Sequence, residues 1–202
     1  MPITLEQIKE LRRLTGAGVT VVKEALDHSN GDIDKSINYL REKGMLKAAK
    51  RSGKSADNGY IAYYIHGEGT IGVLVELNSE TDFTARNEKF RKLANDLAIH
   101  IAATNPRYIS KDNIPVDELN KEKALAGMNI DEKKPVEIRE KIVEGKLVKY
   151  YEEVVLLEQR YVRDESKKIQ DLINETISAI GEKIEIGRFC RFQIAEPASC
   201  GL

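Results

Sequence analysis

No apolar run in this sequence approaches the ~18 residues that a helical membrane span needs, and none is expected to cross a bilayer. Cysteine is almost as scarce. Cys190 and Cys200 are the only two, too few for a disulfide framework, so a reducing cytoplasm is the expected setting. The opening residues Met1-Pro2-Ile3-Thr4 have neither the basic region nor the apolar stretch of a secretory signal. An excess of one charge is missing too. Lys and Arg number 32 against 33 Asp and Glu, giving a net −1, so no global basic field points to nucleic acid. His28, His66 and His100 fall in separate elements with no cysteine or paired carboxylate at ligand spacing, which leaves no metal site. There is no Gly-x-Ser-x-Gly elbow. Gly53-Lys54-Ser55 mimics the tail of a phosphate loop, but Ala48 stands where that loop needs glycine, and a helix is expected upstream instead of a strand. Without a cofactor motif or a set of groups for covalent chemistry, the chain is expected to act by binding rather than as an enzyme.

What is present is a regular α+β pattern. Thr4 and Gln7 form a capping box ahead of a helix facing inward through Leu5, Ile8 and Leu11. Thr15-Gly16-Ala17-Gly18 stops it. A second helix through Val22, Ala25 and Leu26 ends at Asn30-Gly31, and Asp32 caps a third that carries Ile33, Ile37 and Leu40. Residues 1–52 thus form a three-helix module and 53–58 a linker. The cluster Lys47, Lys50, Arg51 and Lys54 reads as a solvated helix end, which favours cations in any case. The remainder, 59–202, is expected to be one α+β domain. Gly59 to His66 and Thr70 to Leu77 form a hairpin, and the first strand, apolar on both faces, expects cover on both. A long helix through Phe90, Leu93, Ala94, Leu97, Ala98 and Ile101 ends near Thr104. Ile109 to Lys134 reads as loop and short helix. Val136 to Ile142 and Lys146 to Val155 are expected as two helices broken at Gly145. Ser166 should cap a helix carrying Ile169, Leu172, Ile173, Ile177 and Ile180, stopped by Gly181. A last strand from Ile184 puts Ile186, Cys190, Phe192 and Ile194 on one apolar face, with Cys200 in an exposed tail. The expected domain is therefore a small antiparallel sheet, hairpin plus C-terminal strand, packed on helices.

One connection stands out. Asn78-Ser79-Glu80-Thr81-Asp82-Phe83-Thr84-Ala85-Arg86-Asn87 is polar apart from one phenyl ring, and it sits between a stiff strand and a stiff helix. Ser79, Thr81 and Asp82 are good N-cap residues, and Phe83 can fold back as a staple on the following helix. Equally, a ring and a carboxylate held on a rigid base suit a docking tip, since aromatics anchor interfaces. Spacing alone does not choose.

Thr81-Asp82-Phe83-Thr84-Ala85 resembles the Thr-Asp-Phe-Val-Ala signature of the elongation factor Ts family, guanine-nucleotide exchange factors of elongation factor Tu. Ile8-Lys9-Glu10-Leu11-Arg12-Arg13-Leu14-Thr15-Gly16-Ala17-Gly18 resembles the family's other signature, and the likeness runs in order through Glu153 to Gln159 and Arg188 to Phe192. It implies a ubiquitin-associated-like module at the N-terminus and a central dimerisation domain. It also implies that Thr81, Asp82, Phe83 and Thr84 contact elongation factor Tu so that Mg²⁺ is displaced and GDP released. Leu11, Gly18, Val19, Thr20 and Val21 would make a second, weaker contact. There Val-Thr-Val-Val at 19–22 replaces a more typical Met-rich stretch. Short members pair sheet on sheet, so the resemblance places Cys190 and Phe192 at a homodimer interface, where Cys190 could meet its copy. Two other classes compete: an adaptor working through residues 1–50 alone, and an RNA-binding protein using the basic cluster from Arg41 to Lys54.

Overall fold

A computed structural model describes residues 3–15, 17–128, 130 and 135–201. Among these the chain is α+β, with helices α1 (Leu5–Thr15), α2 (Val19–His28), α3 (Ile33–Arg51), α4 (Asp82–Ala85), α5 (Glu88–Thr104), α6 (Val116–Gly127), α7 (Val136–Val154) and α8 (Ile169–Ile180). The strands are β1 (Asn58–His66), β2 (Ile71–Ser79), β3 (Arg160–Tyr161), β4 (Asp164–Lys168), β5 (Ile184–Gln193) and β6 (Ser199–Gly201). A four-stranded sheet runs β1-β2-β5-β6, and β3 pairs with β4 separately. The chain forms two compact units. One contains the described residues up to Gly59, Asn78–Phe90 and Asp171–Glu185; the other holds Tyr60–Leu77, Arg91–Gln170 and the chain from Ile186 onward.

The first unit begins with three helices around Ile8, Leu11, Val22, Ala25 and Leu26, flanked by Ile33, Ile37 and Leu40. The expected capping box is there: Thr4 N–H donates to Gln7 Oε1 at 2.8 Å and Gln7 N–H to Thr4 Oγ1 at 3.2 Å. Asp32 accepts Lys35 N–H at 3.0 Å and starts α3. The expected stop at Gly16 lies outside the described residues. Farther along, α3 meets the part of α8 in the same unit at Gly44, where an added Cβ would lie 3.4 Å from the Asn174 carbonyl oxygen. A glycine there lets two backbones approach closely. Lys47 Nζ adds a bond to the Ser178 carbonyl at 3.3 Å.

In the second unit the sheet buries Ala62, Val73, Val75 and Leu77, and α5 buries Leu93, Ala94, Leu97, Ala98 and Ile101. Several expectations fail here for identifiable reasons. α7 is one continuous helix through Gly145, because a single glycine costs a helix only about 1 kcal/mol and does not break it. The expected loop and short helix between Ile109 and Lys134 are met among the described residues by α6, twelve residues long and fastened to α7 by Glu118, which accepts from Tyr150 Oη at 2.6 Å and Tyr108 Oη at 2.7 Å. Ser166 is not a helix cap. It lies in β4 and donates to Asp164 Oδ1. β1 is covered on one face only: Ala62 is buried, whereas Ile61, Tyr63 and Ile65 are exposed.

β5 departs most from the pattern. Ile184 and Ile186 are buried as expected, but the alternation slips across Gly187 and Arg188, after which Phe189 and Arg191 are buried and Phe192 is exposed. A one-residue slip sends every later side chain to the other face, and an interior glycine commonly marks it. Cys190 is therefore not enclosed in the core. It forms a disulfide with Cys200, its register partner on β6. Cys200 is exposed as expected but lies in β6 instead of a tail, and the bond within one chain takes up the Cys190 sulfur that the resemblance placed beside its own copy.

Candidate functional site

The strand-to-helix connection is built entirely within the first unit, and its geometry separates four side chains that the motif lists together. Thr81 has extended backbone angles and caps α4, its Oγ1 accepting Thr84 N–H at 3.4 Å. The cap fixes where the four-residue helix points. Thr84 and Ala85 are buried beneath it, as is Phe90 at the start of α5. Asn87 Oδ1 accepts Lys89 N–H at 2.9 Å and starts α5. What remains on the outside is Asp82 and Phe83. The ring does not fold back as a staple: Phe83 is 80% exposed, the highest value among the exposed large apolar side chains of the described residues. Asp82 pairs with Arg86 one turn on, at 3.0 Å, an exposed pair worth little to stability. A carboxylate and a bare ring project side by side, and Thr81 and Thr84 support them from below.

Below the tip are groups that the sequence did not single out. Thr81 N–H and Oγ1–H both donate to the Glu182 carboxylate, at 3.1 and 2.8 Å. Glu80 accepts Lys183 N–H at 2.6 Å and both its oxygens lie within 3.2 Å of the Arg51 guanidinium at the end of α3. The bond from the Lys183 backbone, aided by Arg51, holds the Glu80 carboxyl below the usual range against the opposing effect of burial. Asn58 Nδ2 adds a bond to the Glu80 carbonyl at 2.9 Å. Glu182 is placed by Gly181, which ends α8 at a φ of 91° that only glycine adopts cheaply. No local pattern reveals these contacts, because residues 80–81 and 182–183 are about a hundred positions apart. The one legible signal was Gly181 as a helix stop.

The second group of expected docking residues is divided. Gly18, Val19 and Thr20 are exposed at the start of α2, and Val21 is half-buried. Leu11 is fully buried in the core of the three helices. Its expected place in a contact is corrected to a support beneath the turn. Among the described residues no group of three His, Cys, Asp or Glu side chains could hold a metal ion, and no helix is long and apolar enough to cross a membrane.

In the second unit the uncovered side of the sheet carries Ile61, Tyr63 and Ile65 from β1, Leu74 from β2 and Phe192 from β5, with Ile194 just past the strand end, all exposed. The Arg188–Glu76 pair at 2.7 Å lies on the same face. A shallow hollow of about 320 Å³ there is lined by Ile61, Leu74, Phe189 and Cys190 together with that ion pair.

The sequence matches known proteins over nearly its whole length. The family model described as Elongation factor TS matches residues 6–196. A protein named elongation factor Ts from Acetivibrio thermocellus is 51% identical over 96% of this chain and 91% of its own. Its namesake from Syntrophus aciditrophicus is 51% identical over 97% and 98%, and that from Herpetosiphon aurantiacus 48% over 96% and 98%. The match spans both units and is not confined to the N-terminal helices. This chain belongs to the elongation factor Ts family of translation elongation factors.

Proposed function

We propose that the chain, working in the cytoplasm, binds elongation factor Tu carrying GDP and speeds GDP release by pressing Asp82 and Phe83 into the partner's nucleotide domain. The observation that carries this reading is the exposure of Phe83 on a turn whose base is pinned on both sides. A nanomolar nucleotide is held by ~12 kcal/mol, so spontaneous release is slow. A factor that prefers the empty partner must weaken GDP binding by the factor with which GDP weakens its own. Mg²⁺ demands near-octahedral oxygen geometry, and a small shift of one coordinating loop dislodges it. An exposed ring gains by entering a pocket, and a pinned turn loses little entropy in delivering it. Residues 1–52 act as a ubiquitin-associated-like module whose Gly18, Val19, Thr20 and Val21 form the second, weaker contact. Stiff β-branched side chains there accept fewer partner shapes than methionines would.

The uncovered sheet face is proposed to receive the same face of a second copy. Its apolar side chains flank a Glu76–Arg188 pair, and a face carrying both charges near its middle complements itself about a two-fold axis. Phe192 lies inside this interface; Cys190, bonded to Cys200, sits beside it without bridging the copies.

Stopped-flow release of fluorescent GDP from elongation factor Tu tests the first proposal. Phe83→Ala is expected to reduce the acceleration about 30-fold, the ~2 kcal/mol of an interface anchor, and Asp82→Ala by a smaller factor. An acceleration untouched by both would remove the site. For the second, Tyr63→Asp should turn a dimer into a monomer in sedimentation equilibrium, and an unchanged mass would exclude this face.

A further inference from the structure

The Asp82–Phe83 tip follows directly on Thr81, and the position of Thr81 is decided from the far end of the sequence. Both oxygens of Glu182 are occupied by it, one receiving the backbone N–H and the other the hydroxyl proton. That choice of proton matters. Because Oγ1–H is directed to Glu182, the hydroxyl oxygen's lone pairs are left to accept Thr84 N–H, the bond that starts α4. A hydroxyl without this acceptor would rotate among alternatives and cap poorly. In the opposite sense Glu80 accepts the N–H of Lys183 and pairs with Arg51. The two carboxylates thus cross between neighbouring turns and are spent on charge-assisted bonds, which are shorter and stronger than neutral ones.

We infer that Glu182 is a positioning residue for nucleotide exchange: through the Thr81 hydroxyl it fixes the aim of Phe83 without touching the partner. This rests on the reading of Phe83 given above and adds to it a residue about a hundred positions away. Glutamine at 182 keeps the volume but puts an NH2 where one carboxylate oxygen was, so the Thr81 N–H and Oγ1–H no longer each have an acceptor oxygen of their own.

The test is a double-mutant cycle on GDP release at saturating factor, with Glu182→Gln, Phe83→Ala and the pair, all in the full chain. Glu182→Gln is expected to slow release about tenfold in the wild-type background and less than about twofold when Phe83 is already alanine. A Glu182→Gln protein as active as wild type overturns the inference, and so does a loss of equal size in both backgrounds, which would mark a merely structural contact. If Glu182→Gln fails to fold, Thr81→Val, which removes only the hydroxyl, is put through the same cycle under the same criteria. A Phe83→Ala factor that is fully active removes the docking tip itself, and the inference with it. The two failures are told apart by that single variant.

Discussion

At the residue scale, His100 shows how burial sets a charge. It lies wholly inside the second unit, and desolvation pushes its pKa down to about 4 despite the bond to Gln159. The neutral ring is held at both nitrogens: Val162 N–H donates to Nδ1 at 3.4 Å, so Nε2–H donates to the Gln159 oxygen at 2.9 Å. The same oxygen accepts from Thr104, and Gln159 Nε2 donates to the Glu153 carbonyl at 2.7 Å. Between its ordinary pKa of 6.5 and about 4 the unfolded chain binds a proton that the folded chain refuses. Stability from this group is therefore complete above pH 6.5 and falls with acid across that window, by about 3 kcal/mol in all. Urea unfolding from pH 7 to pH 4 should show the slope, and His100→Gln, which cannot titrate, should flatten it. Glu80 acts in the same direction at lower pH. Its depressed carboxyl pKa stabilises above the usual carboxylate range, and the benefit is lost on protonation.

At the scale of elements, two glycines in helices have opposite meanings. Gly145 in α7 has nothing within 4 Å of an added Cβ, so Gly145→Ala should raise stability by about 1 kcal/mol through helix propensity alone. Gly44 in α3 is buried against the Asn174 carbonyl. Gly44→Leu should force α3 away from α8, lower the melting temperature and weaken exchange, because α3 carries Arg51 and α8 leads to Glu182. Thermal unfolding of both variants checks the pair, and a neutral Gly44→Leu would mean that the close approach is dispensable. From the sequence Gly145 reads as a helix break, which it is not, and Gly44 carries no local sign of the close approach it permits. Helix starts were legible at Thr4 and Asp32, since caps are local chemistry, and so was the end at Gly181. β3, β4 and β6 were not legible. β3 is two residues long, β6 is three, and β4, Asp-Glu-Ser-Lys-Lys, has no apolar alternation to read.

Across the whole molecule, in its oxidised form, the disulfide ties the terminal strand into the sheet, a bond that a reducing cytoplasm would open. Cys190 and Cys200 close a loop of ten residues, and a cross-link of that span stabilises by about 2–3 kcal/mol, chiefly by restricting the unfolded chain. A dithiol reductant, or Cys200→Ser, should lower the melting temperature by roughly 5–10 °C. No change would mean that β6 holds by its backbone pairing alone. One cross-link is not a framework, and the sequence does not reveal the pairing, because a strand as short as β6 has no pattern that would give Cys200 a position opposite Cys190.

The sequence by itself determined the three N-terminal helices, the hairpin of β1 and β2, the caps at Thr4 and Asp32, the apolar stripes of α5 and α8 and the motif that places the chain in its family, because each depends on neighbours within a few residues. Tertiary structure alone decided three things. It turned Phe192 outward and Arg191 inward, since the slip at Gly187 is invisible to strict alternation. It left Leu5 exposed while burying Ile8 and Leu11 of the same expected inward stripe, since which side of a helical stripe meets water depends on the helices packed over it. And it brought Glu182 to Thr81, since only the folded chain makes neighbours of residues so far apart.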